Sequence, residues 1–316
     1  MQHLISLNDW STDLLLQVLD LAHEAKKNPT RFRNTVDRKT LWMIFEKPSL
    51  RTRVSFEVAM TQMGGHAIYY DMSSSPLGTG KESVSDTINT VSRYVDVIAA
   101  RLFDHAKLQD MAHASSVPVI NALTDFVHPC QILADLFTIR EHKGSLERSK
   151  LAYIGDANNN VTHSLLYGCA MTGIDIHIGC PDGQDYLPHA NVLKQAKKIS
   201  QETGSEIKIF HNPAEAVACV DIVYTDSWMS YHVSAELFEK RVEALKPYQV
   251  NTRLIQHAHP EAIFMNCLPA LRGHEQTAEV IDGPQSVVFD QAENRLHVQK
   301  AIIIKLGLWD YGTMRP

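Results

Sequence analysis

The sequence predicts an α/β fold built as two domains. Three observations carry that expectation. Short apolar runs of strand length alternate with helical segments along the whole chain. The alternation restarts after residue 144 with SKLAYIGDANNNVTHSLLYGCAMTGIDIHIGC, whose order of strand, polar turn, helix, Gly173 and strand is that of a parallel βαβ unit. At 316 residues the chain also exceeds what one hydrophobic core usually serves.

The elements follow in order. Leu14, Leu15, Val18, Leu21 and Ala22 recur at helical spacing behind the cap signal Ser11-Thr12-Asp13. KTLWMIFEKP is a buried strand, and the segment after it is a helix that closes at Gly64-Gly65. HAIYYDM, VDVIAARL and VPVINAL are strands, VSDTINTVSRYV is a helix, and HPCQILADLFTIREHKG is a longer helix ending at Gly144. In the second half IKIF, DIVYTD and AIFMNCLP continue the strand series, SVVFD is a last short strand, and ENRLHVQKAIIIKLGLW is a terminal helix. The expected division is residues 1–144 for the first domain and 145–291 for the second, with the helix of 292–316 returning to the first.

Composition narrows the function classes. Lys and Arg number 30 against 36 Asp and Glu, so the formal net charge of -6 argues against nucleic acid as partner. No apolar run approaches the roughly 20 residues of a membrane span, and the N-terminus has no basic-then-apolar signal pattern. Five cysteines, at 130, 169, 180, 219 and 267, form no metal-ligand spacing and read as reduced thiols of a cytoplasmic protein.

The candidate chemistry begins at FEKPSLRTRVSFE, residues 45–57. Arg51 and Arg53 stand in the first turn of a helix, where the macrodipole already places partial positive charge. That placement suits an anion at the terminus, bound by free backbone amides, the Ser49 and Thr52 hydroxyls and the Arg51 fork. The alternative is a Ser49 N-cap with surface arginines. His128 and Gln131, three residues apart at a helix start, can face one ligand, and Arg101 ends a strand where α/β sheets place binding groups. GDANNN (155–160) lacks the glycine spacing of a dinucleotide site. Its asparagines are either turn residues or amides offered to a substrate. Asp226 and Cys267 also end strands, though a lone cysteine there is often only a small buried hydrophobe.

Taken together, these segments resemble the transcarbamoylase family, and within it the members that act on ornithine. FEKPSLRTRVSFE is similar to the family's FEKxSTRTRxSFE, and VHPCQILADL to its HPxQxLAD. GDANNNVTHSLL, TDSWMS, YQVN, NCLPALRG and FDQAENRLHVQKAI follow in the expected order, so the resemblance spans nearly the whole chain. It implies two doubly wound parallel-sheet domains joined by interdomain helices, and carbamoyl transfer from carbamoyl phosphate to the side-chain amine of L-ornithine, with no metal or organic cofactor, in a homotrimer whose active sites are shared between subunits.

Carried over by position, Ser49, Leu50, Arg51 and Thr52 hold the phosphate, and Arg101, His128 and Gln131 the carbamoyl end. Asn160 (or Asn159), Asp226, Ser230 and Tyr231 meet the amino acid. Cys267, Leu268 and Arg295 complete the pocket, with Arg101, His128, Asp226 and Cys267 expected to carry the chemistry. Four positions depart from the pattern. Leu50 replaces a Thr, Pro76 replaces a Gln that reaches the neighbouring subunit (with Lys81 nearby as a substitute), Ser230-Tyr231-His232 replaces Ser-Met-Gly, and Asn266 replaces a His. They leave two alternatives open: another amine acceptor such as putrescine or an N-acylornithine, or a catalytically weak carbamoyl-phosphate-binding homologue.

Overall fold

In the computed structural model, residues 2–74, 77, 80–229, 234–307 and 309 are described. The chain forms two compact units, Met1–Phe137 with Glu293–Pro316, and Thr138–Ala292.

The first unit is a four-stranded parallel sheet of β1 (Thr40–Phe45), β2 (His66–Asp71), β3 (Val97–Arg101) and β4 (Val119–Leu123), in the order β2-β1-β3-β4. Parallel strands need crossovers, and these are α2 (Leu50–Gln62), α3 (Val84–Val91) and α4 (His105–Ala114), with α1 (Thr12–Lys27) before the sheet. Central β3 is buried at every residue, as a strand covered on both faces must be, and so is β4 at one edge, where Leu4 makes a parallel bridge to Ile120, whereas the other edge strand, β2, is nowhere fully buried. Ser11 caps α1 as expected, and all five of its predicted core residues are buried.

Helix α2 buries Thr52, Phe56, Ala59 and Met60, spaced to lie on one face. It stops where Gly64 takes a φ of 87°, a conformation costly for any residue with a Cβ.

The second unit is a five-stranded parallel sheet of β5 (Lys150–Ile154), β6 (Asp175–Gly179), β7 (Ile207–Phe210), β8 (Ile222–Tyr224) and β9 (Ile263–Met265), ordered β7-β6-β5-β8-β9. Its helices are α6 (Asn160–Thr172), α7 (Ala190–Thr203), α8 (Pro213–Ala216), α9 (Phe238–Leu245), α10 (Thr252–Ile255) and α11 (Ala278–Ile281). Ala152, Ile154, Val223, Val250 and Phe264 are among its core residues. Two helices pass from one unit to the other along the chain, α5 (Pro129–Lys143) and α12 (Val288–Gly307). No helix among the described residues is long and apolar enough to cross a membrane.

One expected element is corrected. SVVFD is not a strand. Ser286 makes a single parallel bridge to Phe264 and Val287 donates its amide to the Phe264 carbonyl, but Val288 already opens α12. Asp290 suits the positive end of that helix, and burial of Val288 with exposure of Phe289 follows helical geometry once the bridge has ended. The apolar triplet alone could not distinguish these outcomes.

Candidate active site

Each sheet has one place where successive crossovers leave in opposite directions, and ligands bind there at the carboxyl ends of the strands. In the first unit that place lies beside β1 and β3. Glu46 follows β1 and ties the two strand ends together. Its amide donates to the Arg101 carbonyl (2.9 Å), its Oε2 accepts from the Phe103 amide (2.7 Å), and its Oε1 accepts from Lys107 Nζ (2.8 Å).

Ser49 is the N-cap of α2. Its Oγ accepts from the Thr52 amide (3.4 Å) and donates to Thr52 Oγ1 (3.1 Å). The helix offers no intrahelical acceptor to the amides of Leu50 and Arg51. Leu50 turns its side chain outward and is 75% exposed, so the missing hydroxyl leaves this backbone end intact.

The two arginines of the first turn separate. Arg53 pairs with Glu57 one turn on (2.9 Å) and lies over the Tyr69 ring at 3.9 Å, so the fold itself employs it. Arg51 instead acts on His128. That imidazole is buried, and its pKa is pushed well below the ordinary 6.5, first by burial and then by the charges of Arg295, Arg101 and Arg51. His128 is therefore neutral at physiological pH and able to donate one hydrogen bond.

Arg295 links the remaining groups. Its Nη1 donates to Gln131 Oε1 (2.6 Å) and its Nη2 to Thr52 Oγ1 (3.5 Å), while Gln131 Nε2 donates to Asp135 (2.8 Å). Arg101, His128, Gln131, Thr52 and Arg295 are all buried. Three guanidinium groups bearing on one neutral imidazole near an open helix terminus give a region of positive density, chemically suited to an anion. Lys47 belongs to the same region and escaped the sequence reading. Its pKa is lowered by burial and by Arg101, and only the fold reveals that a lysine after β1 feels a charge from β3.

In the second unit the switch point lies beside β5 and β8. Asn159 is taken up by the fold. Its Oδ1 caps α6 through the Thr162 amide (2.8 Å), and its Nδ2 donates to Tyr153 Oη (2.8 Å) and the Asp156 carbonyl (2.6 Å). Asn160 is the buried first residue of α6. The Cys267 thiol, half-buried in the loop after β9, donates to Asp226 Oδ1 at 3.2 Å in the loop after β8. Leu268 follows with a φ of 56°. Ser230, Tyr231 and Pro76 lie outside the described residues.

A buried ion pair that sequence inspection missed braces these loops. Arg241 of α9 binds the carboxylate of Asp156 after β5, donates through Nε to the Trp228 carbonyl after β8 (3.0 Å), and lies 5.0 Å from the Tyr186 ring. Nothing local in FEKRVEAL marks Arg241 as buried.

Two family models match the chain. The carbamoyl-P binding domain of aspartate/ornithine carbamoyltransferase matches residues 2–141, and its Asp/Orn binding domain matches residues 147–306. The chain belongs to the aspartate/ornithine carbamoyltransferase family. Among family members, the ornithine carbamoyltransferase of Methanothermobacter thermautotrophicus is 52% identical over 96% of this chain and 98% of its own length. That of Bacillus subtilis is 48% identical over 95% and 92%. The solved ornithine carbamoyltransferase of Pyrococcus furiosus superposes with a TM-score of 0.92 at 45% identity, covering 96% of both chains. The two parallel sheets described above are thus the carbamoyltransferase architecture.

Proposed function

We infer that the protein transfers the carbamoyl group of carbamoyl phosphate to the side-chain amine of L-ornithine, releasing L-citrulline and phosphate. The observation that carries this reading is the buried Arg295 guanidinium joining Gln131 to Thr52 in the first turn of α2, with Arg51 and Arg101 adding their charge around the neutral His128. The names of its relatives supply the substrates.

Arg51, the Leu50 and Arg51 amides, Ser49 and Thr52 take the phosphate. Arg101, His128, Gln131 and Arg295 take the carbamoyl end. The amine attacks the carbamoyl carbon, the carbonyl oxygen becomes an oxyanion, and collapse expels phosphate. Arg101, Thr52 and neutral His128 are preorganised donors for that oxyanion. A histidine already charged would add a fourth cation to the cluster, which is the arrangement its burial avoids.

Asn160, Asp226, Ser230 and Tyr231 take ornithine, Asp226 with Cys267 orients its δ-amine, and Cys267 and Leu268 complete the carbamoyl-phosphate pocket. Only the neutral amine is nucleophilic, so turnover rises with pH above neutrality. The reaction belongs to arginine biosynthesis. We place it in the cytoplasm, in a homotrimer whose copies share active sites.

An acceptor panel tests the reading. With carbamoyl phosphate present, phosphate release is measured with ornithine, putrescine, N-acetylornithine and aspartate. Turnover with ornithine alone is expected. Turnover confined to putrescine would replace the acceptor, and silence with all four would remove the activity.

A further inference from the structure

Resting on that function, we propose that Asn266 and Gln276 act together as positioning residues for the amine-accepting half of the reaction. They hold the turn that follows Cys267 and so place its thiol on Asp226.

The argument starts from burial. Asn266 and Gln276 are both completely buried, and a buried amide must satisfy both of its ends or lose stability. Asn266 Nδ2 donates to Gln276 Oε1 at 3.1 Å, and Asn266 Oδ1 accepts the Leu268 amide at 2.8 Å. Gln276 Nε2 donates to the Leu271 carbonyl at 3.2 Å. The amide pair therefore grips the loop after β9 at Leu268 and again at Leu271. The Asn266 backbone amide is held in turn by Gln291 Oε1 at 3.0 Å, and Gln291 Nε2 reaches Tyr224 Oη at 3.2 Å, on the strand beside β9. The neighbouring Glu275 is buried and accepts the Leu271 amide at 3.1 Å, so the loop is gripped a further time.

What this grip holds is a conformation the chain would not choose. Leu268 has a φ of 56°, in the left-handed region that is disfavoured for any residue with a side chain. Such a conformation persists when its surroundings over-determine it, and the Asn266 acceptor on the Leu268 amide does so. Cys267 lies between the two residues this bond joins. Its thiol reaches Asp226 Oδ1 at 3.2 Å in consequence, and neither Asn266 nor Gln276 is among the residues assigned to ornithine.

Steady-state kinetics with each substrate varied, together with alkylation of Cys267 by iodoacetamide followed by peptide mass, test this. In Asn266→Ala and in Gln276→Met the KM for ornithine should rise about tenfold or more, with a clearly smaller rise in the KM for carbamoyl phosphate, and the Cys267 alkylation rate should change. Asn266→Asp keeps the acceptor for the Leu268 amide and should recover part of the loss. The double variant should be little worse than either single one, because the pair works as one unit. If Asn266→Ala folds poorly, Gln276→Met and Asn266→Asp decide the matter. Unchanged ornithine KM and thiol reactivity would overturn the inference, as would equal loss for both substrates in step with Tm. Cys267→Ala is the control: if it leaves ornithine kinetics intact, the assignment of the amine site fails, whereas an effect there without one at Asn266 or Gln276 sinks only the positioning role.

Discussion

Strand register brings Cys267 alongside Asp226, where its thiol meets Oδ1 at 3.2 Å. Tyr224 of β8 pairs with Met265 of β9, so residues two further along each strand emerge side by side. A slip by one residue would turn one of the two groups away. Replacing Cys267 by Ala removes the donor that orients the carboxylate, and kcat/KM for ornithine should fall by roughly ten- to a hundredfold, the range of a hydrogen bond to a charged group. Cys267→Ser keeps a donor and should lose less. Initial rates with ornithine varied decide it, and an unimpaired Ala variant would remove Cys267 from the mechanism.

At the other sheet, Arg51 and Arg53 should behave oppositely despite their neighbouring positions. Arg51→Ala should raise the Kd for carbamoyl phosphate by about tenfold or more, the loss expected of a charge-assisted contact. Arg53→Ala loses only a partly exposed pair with Glu57 and a ring contact, and should stay within about threefold of the parent, since such pairs contribute about 0.3–0.5 kcal/mol. Isothermal titration with carbamoyl phosphate measures both. Equal effects would mean the first turn attracts anions without discrimination.

The Arg241–Asp156 pair governs stability. Asp156 is completely buried, and removing the guanidinium strands its charge, which costs about 3–5 kcal/mol in comparable sites. Urea unfolding of Arg241→Met should show a loss of that order. Adding Asp156→Asn should restore part of it, because the stranded charge is gone. A double variant as unstable as the sum of the two singles would show that the residues act separately.

Acid should destabilise the protein through His128. Its folded pKa lies below the ordinary 6.5, so as pH falls past that value the unfolded chain takes up the proton first. Stability is therefore fully present above about 6.5 and declines below it. His105 and His297 shift the same way, mainly through burial. Unfolding free energies between pH 7.5 and 5 should fall less steeply in His128→Gln than in the parent. Parallel curves would place the acid sensitivity elsewhere.

Much of the fold was legible because alternating strand and helix runs are local signals, and each is backed by burial at the expected spacing. The failure at SVVFD has a physical reason. Three apolar residues suit a strand or a buried helix start equally, and the bridge from Ser286 to Phe264 ends the pairing before a strand forms. Motif positions such as Ser49, His128 and Gln131 could be found one by one. Arg241, Lys47 and Gln276 could not, because their importance comes from partners far away in sequence.

The sequence by itself determined the elements, the order of the sheets' building blocks and the residue types at the strand ends, since periodicity and capping act over a few residues. It left the first turn of α2 ambiguous between a capped surface helix and an anion site. Tertiary structure decided that point. It assigned Arg53 to Glu57 and Tyr69, brought Arg51, Arg101 and Arg295 to bear on a buried His128, and set Cys267 on Asp226. Charge density and thiol orientation are sums over residues distant in the chain, and only folding brings those residues together.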